Sequence, residues 1–283
     1  MKNITIATKE NIGYYSLLVE SCKKNNIELV VLGLGEKWTG FTMRFKLWLN
    51  YLNQLDDNEI VMINDAYDVI ILENSEKIVK KFKKFNAYVV FGNQCGIQEY
   101  FIKQKEQTLC FGNIIGYVKY IKHIIHILIK NKNLWKKFND DDQLIINYLY
   151  EKDNKLKEII KIDINNDIFF IASDIDRILN INYLLYGKLN GLKMENHQLL
   201  NENNKPISVL HLPANMNGNL YLNYIGYDTS NINLKIELYK FAQIYGIYYN
   251  IINGIILLII VVIFFYIYKK YNKYSLHLKQ LFE

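Results

Sequence analysis

The residues closest to chemistry in this chain are two carboxylates and a tyrosine, in the run Asn64-Asp65-Ala66-Tyr67-Asp68-Val69. An apolar segment, Val61-Met62-Ile63, delivers them as a strand would, so Asp65 and Asp68 leave its carboxyl end in a turn and can face one cavity. Their mutual repulsion is relieved best by a divalent cation. A hard cation held by such carboxylates and shared with a diphosphate stabilises a departing nucleoside diphosphate, and Tyr67 offers a ring for a base to stack on. Acidic pairs at this spacing are also common in ordinary turns, and the motif alone leaves both readings open. A second acidic run, Asp140-Asp141-Asp142-Gln143, opens a stretch predicted helical to about Tyr150, where its simplest role is to cap the helix and complement its dipole.

The surrounding pattern predicts the elements that must hold these groups. Strands are expected at Ile4 to Ala7, Glu28 to Leu32, Glu59 to Ile63, Tyr88 to Phe91 and Ser208 to Leu210. Helices are expected at Gly13 to Asn25, Phe45 to Leu55, and Ser75 to Phe85 with Ser75 as its cap, with a loop punctuated by Gly33, Gly35 and Gly40 after the second strand. This alternation predicts an α/β fold with a mostly parallel sheet flanked by helices and a ligand site at the carboxyl ends of its strands. Glu195 to Pro206 is expected to be a flexible insert.

Composition narrows the class. The 283 residues are 51% hydrophobic with only two prolines, which excludes collagenous and disordered chains. Three cysteines, Cys22, Cys95 and Cys110, without a CxxC or Cys/His cluster, argue against a disulfide framework or a zinc knot. The formal charge of +6 comes from scattered lysines. The Lys80-Lys81-Phe82-Lys83-Lys84 cluster reads as the solvated face of a helix, so nucleic acid is not expected as a partner. From Gly246 to Tyr268 the chain is uncharged, and as a helix it would span about 34 Å. A transmembrane helix at 246–268 is therefore expected, with the lipid bilayer as a partner, a domain over 1–245 and a short basic tail over 269–283. The side of the membrane facing the domain is left open.

Three segments are more specific. Ile4-Thr5-Ile6-Ala7-Thr8-Lys9-Glu10, then Val31-Leu32-Gly33-Leu34-Gly35-Glu36-Lys37-Trp38, then Asp65-Ala66-Tyr67-Asp68-Val69 resemble, in order and spacing, the glycosyltransferase domain of procollagen lysyl hydroxylases. Procollagen galactosyltransferases are a more distant likeness. Val89-Val90-Phe91, Ile115-Gly116-Tyr117, Asp141-Asp142-Gln143-Leu144, Ile162-Asp163 with Ile168-Phe169, and Leu222-Asn223-Tyr224-Ile225-Gly226 extend the resemblance over residues 4 to 227.

The resemblance implies a GT-A-like fold, a UDP-sugar donor carrying galactose or glucose, and Mn2+ or another divalent cation as cofactor. It implies a hydroxyl acceptor such as hydroxylysine or glycosyl-hydroxylysine of a collagen-like protein. By resemblance Asp65, Asp68 and His211 hold the metal; Thr8 and Tyr67 contact the nucleotide, with Trp38 beside it. Asn215 and Gly218 lie in the loop that approaches the diphosphate, and Asp141 and Asp142 are needed for catalysis. Read without it, His211 is a satisfied histidine at a strand end, Trp38 a packing residue and Thr8 a strand-end cap. The chain departs from the family at Gly92-Asn93-Gln94, where the family has Ser-Ala-Glu, at Cys110-Phe111-Gly112, and at Pro213, Met216 and Asn219. A catalytically impaired, membrane-tethered binding or assembly module is the alternative these departures raise.

Overall fold

Short apolar runs separated by amphipathic segments give a layered arrangement, seen in a computed structural model that describes residues 1–94, 108–173, 176, 180–232, 234 and 253–269. The strands are β1 (Lys2–Ile6), β2 (Glu28–Leu32), β3 (Ile60–Asn64), β4 (Val69–Ile71), β5 (Val89–Asn93), β6 (Leu109–Tyr117), β7 (Ile160–Asp163), β8 (Phe169–Ile171), β9 (Lys193–Glu195), β10 (Gln198–Leu200) and β11 (Val209–His211). Six of them form the main sheet in the order β2-β1-β3-β6-β5-β7. All its pairings are parallel except the two made by β6, which runs against β3 and β5. This is the mostly parallel α/β arrangement that the strand–helix alternation predicts, and it agrees with the GT-A-like fold that the resemblance implies.

The sheet is buried on both faces because its residues alternate between two cores. Ile4, Val61, Ile63, Val89 and Phe91 meet Phe45 and Trp48 of helix Phe41–Leu52 and Ile121 and Ile125 of helix Val118–Lys130. Met62, Val90 and Ile115 meet Leu18 and Cys22 of helix Tyr15–Lys24 and Ile78 and Phe82 of helix Ser75–Lys84. On that second side lies a smaller sheet, β4-β11-β8, in which β11 runs antiparallel to β4 and parallel to β8. The sequence pattern did not predict β4, because three residues are too few to show a period.

Asp163 ties the two sheets together. It ends β7 with no exposed surface; its Oδ1 accepts from the Asp167 amide at 2.8 Å and its Oδ2 from the Ile168 and Phe169 amides at 2.7 and 2.8 Å. Those amides lead directly into β8. Asp163→Ala leaves three donors without their acceptor, and we expect it to lower stability by about 3 kcal/mol or more. The urea midpoint measures this, and a midpoint within error of wild type contradicts it.

Several expectations need correction. Asn74, not Ser75, caps its helix, accepting from the Lys77 amide at 3.1 Å. The segment expected to be a flexible insert, Glu195 to Pro206, carries β10, which pairs with β9 as a hairpin and buries Leu199 and Leu200. Asn201, fully buried, then holds the turn by accepting from the Asn203 and Lys205 amides. Cys22 and Cys110 are free and buried; Cys95 lies outside the described residues.

The chain divides into two compact units, Met1–Lys235 and Ile236–Glu283. In the second, the described residues form an apolar helix over 253–269. Among the described residues, no helix is long and apolar enough to cross a membrane. At about 1.5 Å per residue its described part spans about 25 Å, against a hydrocarbon core of about 30 Å. The single-pass anchor expected at 246–268 is therefore not supported, and neither is the bilayer as a partner. The expected span had counted 246–252 as helix; those residues, and 270–283 of the expected tail, lie outside the described ones.

Candidate functional site

Strand register brings residues far apart in sequence to one point. Asp65 directly follows β3, and its amide donates to the Gly112 carbonyl in β6 at 3.0 Å. Asp68 directly precedes β4, whose first residue, Val69, lies opposite His211 in the β4–β11 pairing. The Leu212 amide donates to the Asp68 carbonyl at 2.8 Å and the Ala214 amide to Asp68 Oδ2 at 3.0 Å. His211 Nε2 consequently stands 3.4 Å from Asp68 Oδ1 and 3.8 Å from Asp65 Oδ2.

Asp65, Asp68 and His211 each offer one ligand atom within 4.8 Å of the others, a spacing one cation can bridge. The donor chemistry fits such an ion: two hard carboxylate oxygens and one imidazole nitrogen. His211 itself supplies a test of the fit. It is 3% exposed, and its Nε2 has no hydrogen-bond partner, an arrangement buried polar atoms normally avoid and a metal ion would resolve. Burial lowers the His211 pKa, but the Asp68 carboxylate, helped by Cys110, outweighs it and holds the imidazole well above its ordinary value. A cation entering the site has to displace that proton.

Gly112 makes the space. A Cβ there would lie 2.3 Å from Asp65 Oδ2 and 2.9 Å from His211 Cε1. Gly112→Ala should push these two donors apart and lower Mn2+ affinity about 10–100-fold, the range seen when ligand orientation is lost. Calorimetric Mn2+ titration of the variant checks this, and wild-type affinity contradicts it.

The other residues singled out in the sequence fall into three groups. The first is tied to the turn that carries the aspartates. The Thr8 and Lys9 amides, just after β1, donate to Tyr67 Oη at 2.8 and 3.1 Å, and the Tyr67 ring lies 6.4 Å from that of Tyr15. Gly13, at φ +54°, has room for no side chain: a Cβ would meet the Tyr67 carbonyl at 2.2 Å and Asn215 Oδ1 at 2.3 Å. Asn215 therefore closes its loop against the Tyr67 turn. Gly218 is further along that loop, and its N–H donates to Tyr14 Oη at 2.9 Å, while that hydroxyl donates to Asn219 Oδ1 at 2.8 Å.

The second group is the acidic run, which the structure divides. Asp141 is the N-cap of helix Asp142–Lys152, its Oδ1 accepting from the Leu144 amide at 3.0 Å. Asp142 is buried and paired with Arg44 Nη2, while Arg44 Nη1 lies 3.6 Å from Asp65 Oδ1. Trp38 stands apart: 43% exposed in the loop after β2, it makes an edge-to-face contact with Phe41 at 5.7 Å. An indole left that open is not serving as core.

Arg44 is the residue that sequence reasoning missed. Its guanidinium lies 5.0–5.7 Å from the rings of Phe41, Phe45, Trp48 and Phe111, and burial lowers its pKa to about 10. A single arginine within the apolar run Phe41-Thr42-Met43-Arg44-Phe45 was the available signal. At the Gln94 departure, Gln94 Oε1 accepts from Gln143 Nε2 at 2.9 Å, and Gln143 Oε1 accepts from the Phe111 amide at 2.9 Å.

The family comparison puts the β6-reversed sheet and the carboxylate–imidazole cluster beyond its strand ends in a domain of the glycosyltransferase class. The family described as PLOD GT domain matches residues 1–233, and the chain belongs to that family, the glycosyltransferase domain of the procollagen lysyl hydroxylases. Human procollagen-lysine,2-oxoglutarate 5-dioxygenase 2 is 28% identical over 249 residues, covering 79% of this chain and 30% of the relative. The multifunctional procollagen lysine hydroxylase and glycosyltransferase of Caenorhabditis elegans is 31% identical over 186 residues, covering 58% of this chain and 24% of the relative. The chain thus spans less than a third of the length of either. Among solved structures, the galactosyltransferase LgtC with donor and acceptor sugar analogs aligns over 81% of this chain and 97% of its own, at 12% identity and a TM-score of 0.45.

Proposed function

We propose that the chain is a cation-dependent hexosyltransferase that moves galactose or glucose from a UDP-sugar to a hydroxyl acceptor. The observation that carries this reading is the convergence of Asp65, Asp68 and the buried His211 Nε2, which faces Asp68 Oδ1 at 3.4 Å. These three would hold Mn2+, which neutralises charge on the departing diphosphate. The remaining work belongs to positioning. Thr8, Tyr67 and the exposed Trp38 would take the nucleotide, and the Asn215–Gly218 loop would lie along the diphosphate. Asp141, which caps its helix, and Asp142, linked through Arg44 to the Asp65 side of the site, would serve the reacting sugar. The family membership and the names of the relatives support a hydroxylysine or glycosyl-hydroxylysine of a collagen-like protein as acceptor.

The test is calorimetric titration of UDP into the full chain with and without Mn2+, followed by transfer assays with UDP-galactose and UDP-glucose on hydroxylysine peptides. Mn2+-dependent UDP binding with hexose transfer is the expected result. Absence of UDP binding in both conditions overturns the reading.

A further inference from the structure

Polar side chains in a sheet core need partners, and three asparagines here find one another in a line that ends on His211. Asn3 in β1, Asn64 in β3 and Asn113 in β6 are 0%, 2% and 0% exposed. Asn64 and Asn113 are direct partners in the β3–β6 pairing. His211 Nδ1 meets Asn113 Oδ1 at 2.5 Å, Asn113 Nδ2 donates to Asn64 Oδ1 at 2.8 Å, and Asn64 Nδ2 donates to Asn3 Oδ1 at 2.9 Å. Asn3 Nδ2 reaches Cys22 Sγ at 3.7 Å, where the line ends.

The direction of this chain matters more than its length. Asn113 and Asn64 each give their NH2 to the next amide oxygen away from the histidine, so the Asn113 oxygen left facing His211 can only accept. The ring nitrogen that meets it must bring the hydrogen. Cys110 Sγ lies 3.7 Å from Asn113 Oδ1 and 3.8 Å from His211 Nδ1, a weak and distant partner of both beside the 2.5 Å contact between them. With Nδ1 protonated and tied down, the ring turns Nε2 toward Asp65 and Asp68.

Three buried asparagines cost more than apolar residues would unless their network is complete, and what a complete network gives in return is one fixed orientation. We propose that Asn3, Asn64 and Asn113 form a positioning chain that keeps the proton of His211 on Nδ1 and presents Nε2 as the nitrogen ligand of a divalent cation. This rests on the cation-site reading given above. Asn113 meets only the nitrogen of His211 that faces away from the aspartates, and Asn64 and Asn3 act through Asn113, so their role is orientation rather than catalysis. Outer partners of a metal-binding imidazole typically change affinity about 10–100-fold when removed.

The experiment uses the full chain labelled with 15N-histidine, with His211→Gln to assign the signal, in alkaline buffer where the ring is neutral. Wild type is compared with Asn113→Leu and with the triple variant Asn3→Leu/Asn64→Leu/Asn113→Leu. The triple change removes donors and acceptors together, and so keeps the fold where the single change strands Asn64 Oδ1. In wild type the expected ring is protonated at Nδ1 alone. Both variants should show mixed tautomers, with Mn2+ affinity by calorimetry lower by about 10–100-fold. A purely structural role shifts the unfolding midpoint but leaves tautomer and affinity unchanged, and that result overturns the proposal. Tautomers are read without a cation, so a wild type that takes no Mn2+ overturns the cation-site reading, while the wild-type-against-variant ring comparison still decides the positioning chain.

Discussion

Asp68→Asn should lower Mn2+ affinity on the order of 100-fold, and with it Mn2+-dependent UDP binding, while the cation-free chain unfolds at nearly its wild-type denaturant concentration. Asp68 has two duties that this substitution separates. Its Oδ2 accepts from the Ala214 amide at 3.0 Å and so fixes the loop that leaves β11, a bond the asparagine carbonyl oxygen can keep. Its Oδ1 faces His211 Nε2 at 3.4 Å, and there the negative charge is what matters. A neutral amide still offers an oxygen, but a hard dication held by two charged ligands loses half of that charge when one is neutralised. Asp65→Asn tests the same charge from a more exposed side chain, 41% open to solvent, and the two losses should not simply add. Calorimetry with Mn2+, then with UDP at saturating Mn2+, reads both steps. Wild-type Mn2+ affinity in both variants removes the aspartates from the site.

The part of this site that was legible beforehand is the part made by local sequence. Asp65 and Asp68 could be placed because an apolar strand precedes them and a turn follows, and β2 was found at its observed bounds, Glu28–Leu32, because its apolar run is bounded by turn residues. His211 was legible only through the family resemblance. Alone, a histidine at a strand end carries no sign of its partners, and what brings it to Asp68 is the register of a three-residue strand with one 140 residues later in the chain. Arg44 and the asparagines were illegible for a related reason. Asn64 and Asn113 each break an apolar run, which hints at a buried polar role, but only the cross-strand pairing shows that they meet. The apolar stretch near the carboxyl terminus shows the converse failure: hydropathy alone predicts a crossing helix, and among the described residues no helix is long and apolar enough to cross a membrane.

Arg44→Met should cost about 3–5 kcal/mol of stability, the usual penalty for stranding one member of a buried ion pair. The guanidinium is enclosed by Phe41, Phe45, Trp48 and Phe111, and its Nε has no hydrogen-bond partner, so little but the carboxylates compensates its burial. Methionine suits that aromatic box and fills most of its volume. What it cannot do is offset Asp142, which is 3% exposed and paired with Arg44. The cost therefore lies in the uncompensated carboxylate rather than in a cavity, and this has a distinctive consequence. Adding Asp142→Leu to Arg44→Met should restore most of the lost stability, because an apolar replacement of a whole buried pair is commonly neutral or better. Transferase activity should not return with it, since Asp142 would be gone and Asp65 would have lost the cation 3.6 Å from its Oδ1. Urea unfolding of wild type, both single variants and the double variant gives the coupling energy directly. If the two losses simply add, the pair is not a unit and Arg44 does not link the cation site to Asp142; if stability and transfer both return in the double variant, Asp142 has no part in the reaction.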